Sequence, residues 1–140
     1  MNIVLSSTAS DSHTWNLVYL HLLLEEAGHR VVNLGACVPP DLLARSCVDA
    51  PPDLVVLSTV NGHGHHDGPR SLAAVRAERV LDHVPVVIGG KLGTTGHEPE
   101  RADALRAAGF TDVFDDAGAV SRFTAFLSSL GSLRLAGSAS

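Results

Sequence analysis

The chain predicts an α/β protein, a doubly wound parallel sheet of five strands in the order 2-1-3-4-5. Three observations carry this. Short apolar runs rich in Val, Ile and Leu alternate with amphipathic helical segments, the pattern of parallel strands joined by crossover helices. Glycines and prolines punctuate the helical segments at their ends. Five such strand–helix units follow one another with no detectable internal repeat.

Taken in order, the first strand is read over 2–6 and leads to a helix over 14–27 that stops at Gly28. A second strand over 30–34 precedes a helix over 40–48 opened by Pro40, which suits a first helical turn because its missing N–H has no partner there. The run over 53–58 is the third strand, and Pro69 is taken as the start of a helix over 69–81. A fourth strand over 84–88 is followed by a helix over 99–108, bracketed by Pro99 and Gly109. The fifth strand over 112–114 precedes a last helix over 118–130. Residues 1–130 then form the domain, and 131–140, small and polar, are expected to form a frayed C-terminal tail.

A sequence of 140 residues fits one domain and buries about two-thirds of its unfolded surface without staples. A formal charge of −5, dispersed arginines and a lone lysine leave no basic face for nucleic acid. Cys37 and Cys47 match neither a disulfide framework nor a zinc C-x-x-C, so both are read as small buried apolar residues in a reducing cytoplasm. No basic leader and no apolar run approaching about 18 residues is present, and a soluble cytoplasmic protein with no membrane partner is expected.

In a sheet of this order the binding crevice lies outside the carboxyl ends of the strands, where strand order reverses between the first and third. Two polar blocks border that point, Ser7–His13 and Ser58–Gly68. The first contains Ser10-Asp11-Ser12-His13-Thr14-Trp15-Asn16 at a strand-to-helix turn. An imidazole at position 13 can ligate a metal through one nitrogen while Asp11 accepts a hydrogen bond from the other, which fixes the tautomer and raises ligand basicity. Helix capping or a bond to a backbone carbonyl is the plainer use of such a histidine.

Read in register, Asp11-x-His13, Ser58-Thr59-Val60 and Gly89-Gly90 resemble the D-x-H-x-x-G, S-x-L and G-G signature of cobalamin-binding domains. Asn16 stands where that signature has Gly, and Val60 where it often has Leu. The stretch Asn61-Gly62-His63-Gly64, with Ala108-Gly109-Phe110 and Asp112-Val113, is similar to the small subunits of methylaspartate (glutamate) mutases, over Ile3 to about Leu130. The resemblance implies a flavodoxin-like (Rossmann-like) cobalamin-binding domain with His13 as lower axial ligand to cobalt, replacing the cofactor's own dimethylbenzimidazole, and Asp11 as its partner.

The displaced nucleotide tail then needs a slot, for which Ser58 offers a hydroxyl, Val60 an apolar wall, and Gly89 and Gly90 room close to the backbone. Lys91, Leu92, Gly93 and Thr94 could meet its ribose and phosphate. The cofactor-binding set implied is therefore Ser10, Asp11, Ser12, His13, Thr14, Asn16, Ser58, Thr59, Val60, Gly62, Gly89, Gly90, Lys91, Leu92, Gly93 and Thr94, with His13 as the metal ligand and no residue assigned as catalytic.

At Asn16 two explanations stay open. Either the position needs a positive φ, which Asn tolerates next best to Gly, or it needs room, which the Asn side chain and Trp15 would take. The loop Asn61–Gly68 holds three histidines and an aspartate, but neighbours this close on a glycine-rich loop rarely converge on one ion, so a structural or contact use is expected there, and the resemblance implies contact with the corrin and the partner. His21, His29, His83 and His97 read as ordinary residues.

The function so implied is the small subunit of an adenosylcobalamin-dependent isomerase, a carbon-skeleton mutase of the glutamate to 3-methylaspartate type. It would work in a hetero-oligomer with a large substrate-binding barrel subunit. A non-catalytic cobalamin carrier or sensor module shares every cofactor residue with it. A flavodoxin-like electron carrier lacks an aromatic in the loops to stack on a flavin, and a phosphorelay receiver lacks an acceptor Asp where Ser58 ends the third strand.

Overall fold

The run Ile3-Val4-Leu5 is buried on both sides, because a strand at the middle of a parallel sheet has helices over each face. In a computed structural model, which describes residues 1–60, 63–90, 99–114 and 119–139, this run lies in β1 (Asn2–Ser7). The other elements follow as α1 (Trp15–Glu26), β2 (Arg30–Asn33), α2 (Pro40–Asp49), β3 (Leu54–Thr59), α3 (Gly64–Arg76), β4 (Val86–Gly90), α4 (Pro99–Ala108), β5 (Asp112–Phe114) and α5 (Ala119–Ala139). The strands form one parallel sheet in the predicted order β2-β1-β3-β4-β5.

Alternation along the strands divides the core in two. Val4, Val55, Leu57, Val86 and Ile88 pack with Leu43 and Cys47 of α2, Leu72 and Val75 of α3 and Leu105 of α4. Ile3, Leu5, Leu54, Val56, Val87 and Phe114 pack on the opposite face with Leu17 and Leu24 of α1 and Phe123 and Leu127 of α5. Each such aliphatic side chain taken fully out of water contributes roughly 1.5–3 kcal/mol. Phe114 also meets the Phe123 ring edge-on at 5.2 Å and carries the Arg122 guanidinium over its own ring.

The glycine stop of α1 is as read from the sequence. Gly28 takes φ +93, its N–H donates to the Glu25 carbonyl at 2.9 Å, and the His29 N–H donates to the Leu24 carbonyl at 3.1 Å, a paired-bond helix end that favours glycine at the turn.

Four expectations are corrected. Helix α3 starts at Gly64 rather than Pro69 and ends at Arg76, with a separate 3-10 turn over Arg79–Leu81. Pro69 lies inside it, and its ring leaves the His65 carbonyl without a helical donor from that position. Tertiary contacts hold this first turn: Asp67 is buried against Ser10, and a Cβ at Gly68 would come within 2.6 Å of the Ile88 side chain. Strand β4 is shifted to Val86–Gly90, so both glycines belong to the strand, and β1 and β3 run one residue further than read. Helix α5 continues beyond Leu130 to Ala139. Cys37 is exposed in the turn after β2 and takes φ +52, whereas Cys47 is buried, its thiol pushed up to about 11 by the apolar surroundings. Among the described residues no helix is long and apolar enough to cross a membrane.

Candidate functional site

After β1 the chain turns sharply, and its loop is tied to the neighbouring one by main-chain bonds. The Asp11 N–H donates to the Thr8 carbonyl at 3.1 Å, and the Asp11 carbonyl accepts the Cys37 N–H at 2.8 Å. The Ser7 hydroxyl and N–H both donate to the Gly35 carbonyl. Asp11 thereby sits at the carboxyl edge of the sheet with a side chain only 1% exposed.

A carboxylate so buried must be fully bonded to remain charged. Asp11 Oδ1 accepts the His13 N–H at 2.9 Å and the His13 ring Nδ1 at 2.8 Å, while Oδ2 accepts the Val60 N–H at 2.6 Å. Burial pushes this carboxyl up, but the amides of His13 and Val60 together with the side chains of His13 and Thr59 outweigh it, so the group is held below the usual carboxylate range. An ionised Asp11 only accepts, so the ring proton facing it sits on His13 Nδ1, and the neutral ring held in this way carries its lone pair on Nε2. That nitrogen has no partner among the described residues, and the His13 side chain is 57% exposed. His13 is not the helix cap, since Thr14 holds that place without a side-chain bond. A neutral imidazole oriented in this way by a buried carboxylate is able to ligate a metal through its other nitrogen.

Around this pair the structure gathers most of the expected set. Ser10 donates to Asp67 Oδ2 in the first turn of α3, and Ser12 and Thr14 are exposed beside His13. Ser58, Thr59 and Val60 end β3, where Ser58 pairs in register with Ser7 on one side and Gly89 on the other. Gly62, Lys91, Leu92, Gly93 and Thr94 lie outside the described residues, as does Asn61. His63, His65 and His66 are exposed at the start of α3, and among the described residues no three His, Cys, Asp or Glu side chains gather to hold an ion. Asp67 belongs to the site as the acceptor for Ser10. In the sequence it was one acid in a histidine loop, and nothing local pairs it with position 10.

Three residues carry a different load from the one expected. Asn16 is helical, since Cys37 is the one non-glycine residue with positive φ among those described, and its carboxamide donates to the Ser58 hydroxyl. The backbone explanation for Asn16 is thus set aside. The glycines of β4 answer to the protein's own main chain: a Cβ on Gly89 would lie 2.9 Å from the Phe114 carbonyl, and one on Gly90, which takes φ +107, 2.0 Å from the Thr59 carbonyl.

Gly90→Ala should therefore be severe, combining about 1–3 kcal/mol of backbone strain with about 1–3 kcal/mol of overpacking. Gly28→Ala, at φ +93 with open space around the Cβ, should lose only the strain. Urea unfolding of the two variants checks this, and equal losses would show that the end of β4 yields to the extra methyl.

Residues 1–118 match the B12 binding domain family. The chain belongs to that family. Within it, this B12-binding domain is 30% identical over 115 residues to the glutamate mutase sigma subunit of Carboxydothermus hydrogenoformans, covering 81% of this chain and 83% of the relative. It is 35% identical over 96 residues to the HTH-type transcriptional repressor CarA of Myxococcus xanthus, spanning 67% of this chain but only 32% of that protein. A cobalamin-binding protein from Desulfitobacterium hafniense superposes with a TM-score of 0.70 at 23% identity, over 88% of this chain and 57% of the other, and so shares the fold.

Proposed function

We propose that this B12-binding domain is the small subunit of an adenosylcobalamin-dependent carbon-skeleton mutase of the glutamate to 3-methylaspartate type, a cytoplasmic protein active with a separate large barrel subunit that holds the substrate. The observation that carries the cofactor assignment is the buried Asp11 carboxylate holding the exposed His13 ring by its Nδ1 at the carboxyl edge of the sheet. Its support as a mutase subunit is the similarity to the Carboxydothermus sigma subunit over most of both chains.

The donor set fits the group. A neutral imidazole with its second nitrogen bonded to a carboxylate is a donor suited to cobalt, and His13 would hold the metal through Nε2. Asp11 would orient the ring, and Ser58 with Gly89 would border the cofactor's nucleotide tail. Bound adenosylcobalamin supplies a weak cobalt–carbon bond and with it radical chemistry, so the protein's task is to bind, orient and exclude water.

The last of these needs a second wall. Helix α1 leaves the site with Trp15, Val18, Tyr19 and Leu22 exposed along one side, Trp15 at 84%. Large apolar side chains at that spacing, beginning two residues after His13, form a surface suited to a partner closing over the cofactor.

The similarity to CarA supports a second reading, a cobalamin sensor module without catalysis. Absorbance titration with hydroxocobalamin tests what both share: a saturable spectral change at one equivalent is expected, and its absence removes both. Mixing the cobalamin-loaded protein with a large mutase subunit separates them.

A further inference from the structure

Strand alternation aims Ser58 of β3 and Gly89 of β4 toward the face covered by α1 and α5, the face to which Val56 and Val87 also point. Helix α1 rests on β1 and β2, and α5 on β5, so the carboxyl ends of β3 and β4 lie between the two helices. The Asn16 carboxamide reaches from the first turn of α1 into this interval and bonds to Ser58, which is 3% exposed. No backbone demand accounts for Asn at this position, because any residue adopts its helical conformation.

We propose that Asn16 sets the selectivity of this B12-binding domain for the nucleotide tail of its corrinoid. The proposal rests on the reading above that this crevice takes the tail. With the carboxamide on Ser58 the interval is bridged, so a corrinoid without a nucleotide binds over His13 and leaves the bond intact. One carrying a benzimidazole must first break it. The incoming ring offers an acceptor nitrogen to the Ser58 hydroxyl, but the carboxamide has to give up both its partner and its volume. Asn16 is thus a specificity-determining residue, acting by obstruction rather than by contact with cobalt.

The test is a pair of absorbance titrations, with hydroxocobalamin and with diaquacobinamide, which has the corrin ring but no nucleotide. They are run on the parent protein, Asn16→Gly and Asn16→Ala, the last keeping a good helix former in the first turn. Removing the side chain should tighten cobalamin about tenfold while cobinamide stays within about twofold, the difference expected from one partly buried hydrogen bond that only the tailed ligand breaks. An unchanged ratio of the two affinities, or weaker cobalamin binding in both variants, overturns the proposal while leaving the cofactor reading in place. Failure of either corrinoid to bind any of the three proteins overturns both. A readout without ligand accompanies these: the Asn16 side-chain amide should show a shifted, slowly exchanging NMR signal that Ser58→Ala returns to the solvent-exposed position. A solvent-exposed signal in the parent counts against the latch.

Discussion

His13→Ala is expected to abolish nitrogen coupling from the protein in the electron paramagnetic resonance spectrum of the Co(II)-loaded domain. In the parent, nitrogen-15 labelling of the protein should change the superhyperfine splitting, because His13 Nε2 would be the axial donor. A splitting indifferent to the label would remove His13 from cobalt. The geometry sets the size of the accompanying effects. Asp11 is buried and binds both the ring and the main chain of His13, so Asp11→Ala loses ring orientation and should weaken cobalamin binding by roughly 10–100-fold without removing the ligand. It also leaves the Val60 N–H without its carboxylate, which adds a stability loss of about 1–3 kcal/mol. Asp11→Asn isolates the charge: it keeps the size, but one carboxamide end presents N–H groups to N–H donors. A variant that retained full affinity and full stability would show that the pair is incidental.

The isolated domain should show no turnover of glutamate or a related acid, and activity should appear only when a large barrel subunit is added. A flat corrin cannot be enclosed by one α/β domain of this size, and radical chemistry must be kept from solvent. The exposed side of α1 supplies the corresponding surface test. Trp15→Ala and Leu22→Ala remove side chains that are 84% and 57% exposed, so the fold should be almost unaffected. In a reconstituted complex a central aromatic contact costs about 2 kcal/mol or more, and Trp15→Ala should weaken assembly about thirtyfold. Turnover by the isolated chain, or assembly unaffected by Trp15, Leu22 and the exposed histidines 63, 65 and 66 alike, would overturn the partnership.

The strand order and the Asp11–His13 pair were legible because both depend on local pattern. Unbroken apolar runs mark strands covered on two faces, and the right-handed crossover rule leaves few topologies for five βα units. A carboxylate two residues before a histidine at a strand-to-helix turn needs only the turn itself to bring them together. The start of α3 was not legible, because proline is the commoner local signal for a first turn. The true start at Gly64 is held by the Ser10–Asp67 bond and by the close approach of Gly68 to Ile88. The exposure of Cys37 followed from no composition rule either; it comes from the turn that gives its N–H to the Asp11 carbonyl.

By itself, then, the sequence determined a five-stranded doubly wound sheet and placed a histidine and its carboxylate at the edge where ligands bind. Tertiary structure alone decided what Asn16 and the two glycines of β4 are doing. Asn16 and Ser58 are 42 positions apart, and Gly90 is confined by the Thr59 carbonyl on the neighbouring strand. A residue type states what a side chain can bond or how much room it needs, but the partner that answers it is set by chain segments meeting in space.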